Sequence, residues 1–136
     1  MSAIANIAIQ DGQATPVTHT YKPIESGVNA YFRENVTNVP LVAQGNVRLV
    51  TKISQTNPVK RKTLILELPV QEVVTGSNSA GYSAAPKIAH VVRMKVELTC
   101  HERATSAERK DVRTLVKNAL LDSQIISFFD DLETPY

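Results

Sequence analysis

Arg48, Lys52, Arg61, Arg93 and Lys95 are the side chains whose types and spacing can do chemistry, and that chemistry is the neutralisation of phosphate. They fall in stretches (46–55, 61–72 and 88–100) where charge recurs on every second residue or nearly so. Side chains alternate across a strand, so residues two apart share one face of a sheet. The same alternation puts Val47, Leu49, Ile53, Leu64, Leu66, Leu68, Val92, Met94, Val96 and Leu98 on the opposite face. One face is oily and the other basic. Glu67 and Glu97 also fall on the basic face, where a carboxylate repels phosphate but accepts hydrogen bonds from base amino groups. Few aromatic rings accompany these charges, and Tyr82 sits in a loop, so recognition by stacking on the sheet is disfavoured.

Enzymatic constellations are weak. His19, His90 and His101 are the only histidines, and none has the spacing of a metal ligand set. Cys100 neighbours His101, but adjacent strand residues point to opposite faces, so no thiolate–imidazole pair is set up and Cys100 reads as a small hydrophobe. The chain has no GxGxxG, no Walker loop and no GxSxG, and Asp130 and Asp131 read as a solvated helix end. No catalytic residue, metal site or cofactor is predicted. A single cysteine excludes an internal disulfide and points to a reducing, intracellular origin. The N-terminus lacks a signal-peptide pattern and nowhere is there an apolar run of membrane-spanning length, so neither export by a signal peptide nor a membrane anchor is expected.

The elements that must position the basic residues follow from period and turn chemistry. Ile4 to Ile9 and Ala14 to Tyr21 read as a β-hairpin (4–21) turning at Asp11-Gly12, with Pro16 marking its second arm as an edge strand. Strands are predicted over 28–35, 46–55, 61–72 and 88–100, with a connection or brief strand at 37–44 and a turn at Thr56-Asn57-Pro58. Small and polar residues make 72–86 a long loop and a candidate contact element. Thr105 and Glu108 form a capping box for a helix carrying Val112, Leu115, Val116, Ala119 and Leu120 on one stripe. Asp122-Ser123 starts a second helix with Ile125, Ile126, Phe128, Phe129 and Leu132, apolar on more than one side. These elements make one α+β domain over 136 residues, with helices spanning 105–132. The terminal helix calls for more cover than one copy supplies, which predicts an obligate oligomer. Charge segregates accordingly: residues 46–103 hold nine Lys and Arg against four Glu, while the flanking segments are slightly acidic. That favours a polyanionic partner.

Several strings resemble the coat proteins of single-stranded RNA bacteriophages, the levivirus type. They are Val96-Glu97-Leu98-Thr99, Ser106-Ala107-Glu108-Arg109, Val112-Arg113-Thr114, Asp131 to Tyr136, and Ser54-Gln55 through Arg61-Lys62 to Glu67-Leu68-Pro69. The order of elements matches over nearly the whole chain. The resemblance implies an N-terminal hairpin, a five-stranded antiparallel sheet, and two C-terminal helices that cross onto a partner's sheet in an interlocked homodimer. It further implies a T=3-type icosahedral shell around single-stranded genomic RNA, assembled in the bacterial host cytoplasm as a virion, with the sheet facing inward. A coat dimer of this type also binds an RNA hairpin as a translational repressor. Thr63 falls where the family has a threonine in an adenine pocket, Arg61 at a phosphate contact and Glu97 at a strand glutamate near the RNA. Val50, Lys52 and Ile65 depart from the family's residue types, which carries phosphate binding over better than base specificity. The expected RNA-binding set is Arg48, Lys52, Ser54, Arg61, Thr63, Arg93, Lys95 and Glu97. Gly76, Gly81 and Tyr82 belong to the inter-dimer loop, and Val112, Leu115, Val116, Leu120, Ile125, Phe128 and Phe129 to the dimer helices. A stand-alone sheet-based RNA-binding regulator is the alternative.

Overall fold

The computed structural model describes residues 3–53, 58–72, 79, 81, 85 and 87–134. Ser54, Gly76 and Tyr82, with most of the 72–86 loop and Thr56-Asn57 of the turn at 56–58, lie outside these residues. Six strands form one antiparallel sheet in chain order: β1 (Ile7–Gln10), β2 (Thr18–Glu25), β3 (Asn29–Glu34), β4 (Asn46–Ile53), β5 (Val59–Gln71) and β6 (Ile88–His101). The hairpin is thus continuous with the sheet rather than separate from it, because β2 pairs with β3 through Tyr21↔Glu34 and Lys22↔Arg33. Two helices follow, α1 (Ser106–Ala119) and α2 (Ser123–Asp130).

The Asp-Gly turn differs from the sequence expectation. Asp11 Oδ1 accepts the backbone N–H of Gln13 at 3.3 Å and of Val17 at 2.9 Å, so its carboxylate organises a wide loop up to Val17. Gly12 is not among the positive-φ glycines, as a tight primed turn would require. Pro16 therefore sits in a loop, β2 is interior, and β1 and β6 are the edge strands. Further on, Leu41–Ala43 form a 3-10 turn after Pro40. Buried Gln44 closes that connection by donating from Nε2 to the carbonyls of Val36 and Val39.

The helix starts follow their caps. Thr105 Oγ1 accepts from Glu108 N–H at 3.3 Å while the Glu108 carboxylate accepts from Thr105 N–H at 2.7 Å, the reciprocal pair of a capping box. Asp122 caps α2 by accepting from Gln124 N–H at 3.0 Å.

The core within one chain is small. Val47, Phe32 and Tyr21 are buried, with Ile7, Ala30 and Leu66 packed against them on one face. Much of the rest of that face, including Leu49, Leu64, Leu68, Val92 and Met94, is exposed, and Val96 and Leu98 are half-buried. Neither helix buries a side chain: Val112, Leu115, Val116, Leu120, Phe128 and Phe129 all face water, while Ile125 is half-covered.

At the sheet's first-strand end, His19 ties the hairpin to β3. Its Nδ1 lies 2.7 Å from Glu34 Oε1 and its Nε2 3.1 Å from Asp11 Oδ2. A neutral imidazole has one N–H, so only the imidazolium donates to both carboxylates. Hydrogen bonds to Asp11 and then Glu34 hold the imidazole above its usual 6.5, outweighing partial desolvation. Glu34 reaches this position over Gly45, where a Cβ would come within 3.3 Å of its Oε2. Because the folded-state value is raised, the stabilisation is complete below the unfolded value and is lost as pH rises through the folded one. Melting temperature should therefore fall as pH rises above the ordinary imidazole value of 6.5, and His19→Gln should flatten that dependence in a thermal scan. An identical slope in the variant would place the titration elsewhere.

Candidate nucleic-acid interface

Register decides which charges meet. Lys22, Arg33, Asn46, Glu67 and Arg93 pair in turn across β2 to β6 and make one row of the face opposite the core. Arg48, Ile65 and Lys95 form the next row, Val50, Thr63 and Glu97 the third, and Lys52, Arg61 and Thr99 the fourth. With strands about 4.8 Å apart and rows about 7 Å apart, the patch from β3 to β6 covers roughly 14 by 20 Å. The described members of the expected RNA-binding set share this face. Lys22, Arg33 and Asn46 join them unpredicted, although the alternation of Asn29, Tyr31 and Arg33 in β3 was visible in the sequence.

Two cross-strand pairs have like charge: Lys22↔Arg33 and Lys52↔Arg61. Like charges directly opposite one another destabilise a sheet. No carboxylate lies within ion-pair distance of any of the four among the described residues. A surface that carries this repulsion unrelieved is suited to an anionic partner that relieves it.

The two glutamates are not equivalent. Glu67 is 7% exposed and its oxygens are committed, Oε1 to Arg93 at 2.6 Å and Oε2 to Arg48 at 3.7 Å. It is an internal counter-ion that holds two guanidinium groups, which corrects the reading of it as an acceptor for base amino groups. Glu97 is exposed along its strand. Its Oε2 accepts from Thr63 Oγ1 at 3.3 Å and faces Lys95 Nζ at 3.5 Å, while Oε1 accepts from Thr99 at 3.4 Å. Partial burial acts to raise its pKa, but the charge and hydrogen bond of Lys95, the hydroxyl of Thr63 and the charge of Arg61 outweigh it and hold the carboxyl below its usual range. Glu97 is therefore ionised at neutral pH and can accept one further donor.

Thr63 is 6% exposed, unlike an ordinary outward-facing strand threonine. Its hydroxyl donates to Glu97, leaving the oxygen's acceptor capacity toward the face. On the same face the Arg48 guanidinium lies 5.4 Å from the centre of the Tyr31 ring. Of the loop residues, Gly81 has φ of +75°, the left-handed region that glycine adopts without strain.

The interface and its sheet have relatives of known structure. The chain is similar to the protein of the virus-like particle of bacteriophage ESE058, with 25% identity, a TM-score of 0.88 and coverage of 99% of this chain and 100% of that one. It is also similar to the virus-like particle protein of bacteriophage EMS014, at 32% identity and a TM-score of 0.77, over 88% of this chain and 75% of that one. The capsid protein of bacteriophage GA, at 16% identity, shares the fold with a TM-score of 0.70 over 95% of each chain. No curated protein sequence matches. A family model described as the levivirus coat protein matches residues 2–136, and the chain belongs to that family of capsid-forming proteins.

Proposed function

We propose that this coat protein acts as a single domain that dimerises, closes into a T=3-type icosahedral shell in the host cytoplasm, and packages single-stranded RNA against its basic sheet face. The observation that carries this reading is the two-faced sheet. The basic face has like-charge pairs awaiting an anion, and the apolar face has no cover within its own chain. A second copy supplies that cover. Strand β6 is the last in the sheet and pairs only with β5, so its outer edge is free to pair with the same strand of a partner. Helices α1 and α2 then fold onto the partner's apolar face. Each Leu, Val or Phe side chain buried this way contributes about 1.5–3 kcal/mol. A free-standing regulator would leave this apolar surface in water.

The names of its relatives as virus-like particles support the shell. The 72–86 loop, with Gly76, Gly81 and Tyr82, is the element we assign to contacts between dimers. Arg48, Lys52, Ser54, Arg61, Arg93 and Lys95 hold phosphate. Thr63 and Glu97 form the polar site at which an RNA hairpin is told apart from bulk RNA, which gives the dimer its role as translational repressor.

Expression of this chain alone in bacteria should yield RNA-filled particles in electron micrographs; soluble dimers alone, across several assembly conditions, would sink the shell. Deleting residues 75–86 should abolish or alter shells yet leave dimeric RNA binding intact, whereas loss of both would return the loop to the fold. In filter binding, Arg93→Ala or Lys95→Ala should each weaken RNA binding and reduce the salt slope by about one unit per lost phosphate contact. An unchanged slope would mean that these charges point away from RNA.

A further inference from the structure

A shallow groove of about 480 Å³ opens on the basic face, lined by Glu25, Asn29, Ala30, Tyr31, Arg48 and Val50. A β-bulge creates it. Pro23 pairs with Phe32, but the next pairing is Glu25↔Tyr31, so Ile24 is an extra residue in β2. Proline offers no ladder N–H, which suits the interruption. Without the bulge Ile24 would oppose Tyr31, and Glu25 would turn to the apolar side. With it, Glu25, Tyr31 and Arg48 stand in one row across β2, β3 and β4. The carboxylate and the guanidinium flank the same ring. Tyr31 is the one aromatic side chain on the basic face of the sheet among the described residues.

We propose that this groove is a pocket for one unpaired RNA base carrying an exocyclic amino group, that is, adenine, cytosine or guanine rather than uracil. The inference rests on the reading of the face as an RNA surface and adds a site that the phosphate contacts do not supply. Three chemistries converge there. The Tyr31 ring and the Arg48 guanidinium, which lies over it 5.4 Å from its centre, provide stacking surfaces, and Arg48 carries charge for the adjoining phosphate. The Glu25 carboxylate accepts from an amino group and repels the carbonyl oxygens that uracil presents instead. Asn29 adds an amide that donates and accepts. The groove lies one row and two strands from Thr63, about 12 Å away by strand spacing and rise, so one RNA strand can reach both places.

Stacking and phosphate binding leave different signatures. A stacked base releases no counter-ions, so its loss lowers affinity without changing the salt slope. The test measures binding of the full-length chain, in its unassembled form, to short single-stranded oligomers of adenosine, cytidine and uridine over a range of salt. Wild type should prefer the adenosine and cytidine oligomers. Tyr31→Ala should weaken adenosine binding on the order of 10-fold at constant slope, and Tyr31→Phe should retain it. Glu25→Ala should reduce the ratio of adenosine to uridine affinity. Particle formation by each variant serves as the check on folding, and Tyr31→Leu replaces Tyr31→Ala if that variant fails it. A full-strength Tyr31→Ala or Tyr31→Leu, a loss accompanied by a lower slope, or a ratio indifferent to Glu25 would overturn the pocket. Wild type without salt-dependent binding to any oligomer would overturn the RNA reading itself, and the pocket with it.

Discussion

A sheet has two faces, and this chain leaves most of both uncovered. Alternation in β4, β5 and β6 sorts most apolar side chains to one side and most charged ones to the other, with Lys60 and Lys62 as exceptions on the apolar side, and the described residues supply a core of only three buried hydrophobic side chains. A single layer with that little buried surface does not hold itself together, since stable domains pack at least two layers around an apolar centre. The missing layer has to come from elsewhere. The helices are capped and regular, yet they present leucines, valines and phenylalanines to solvent. Their caps fix where each begins, and their apolar residues fix that they must land on another surface. The unpaired edge of β6 points to the same solution, because a second copy would complete the sheet and cover it at once.

The opposite face obeys electrostatics rather than packing. Its repulsions at Lys22↔Arg33 and Lys52↔Arg61 are left standing, while Glu67, in the same row as the first of these pairs, ties down Arg48 and Arg93. The result is uneven charge. Glu97 then sits among Thr63, Lys95 and Thr99 as an ionised acceptor at the β5–β6 side. A uniform basic sheet would take any polyanion, whereas one with fixed carboxylates between its cations rejects a phosphate that arrives at the wrong place.

Much of this was legible in the sequence where a local rule decides the outcome. The charge alternation of β4 and β6, the Thr105–Glu108 capping box and the Asp122 cap all follow from neighbours a few residues apart. Where a distant partner decides, sequence reading failed. Asp11 reads as half of a tight turn, but its carboxylate is drawn to Val17 N–H and to His19. Glu67 reads as a free acceptor because its two arginines come from the strands on either side. Tyr31 and Glu25 meet through a one-residue bulge that only the pairing of β2 with β3 reveals. The candidate site was therefore visible as a set of clustered charges and invisible as a groove.

The two faces also respond to different variables, which separates assembly from cargo. Burial of apolar side chains between copies is insensitive to moderate salt, whereas phosphate contacts weaken steeply as salt rises. On the proposed reading each dimer would need only a modest grip on RNA, because a closed shell repeats the same face many times and the linked contacts reinforce one another. Weak individual contacts have a further consequence: a dimer that held every RNA segment tightly could not yield one segment to a better-matched one during closure. The counter-ion Glu67 fits that requirement. By pairing with Arg48 and Arg93 on the same face, it would, on the proposed reading, limit their grip on phosphate and leave discrimination to the groups around Thr63 and Tyr31.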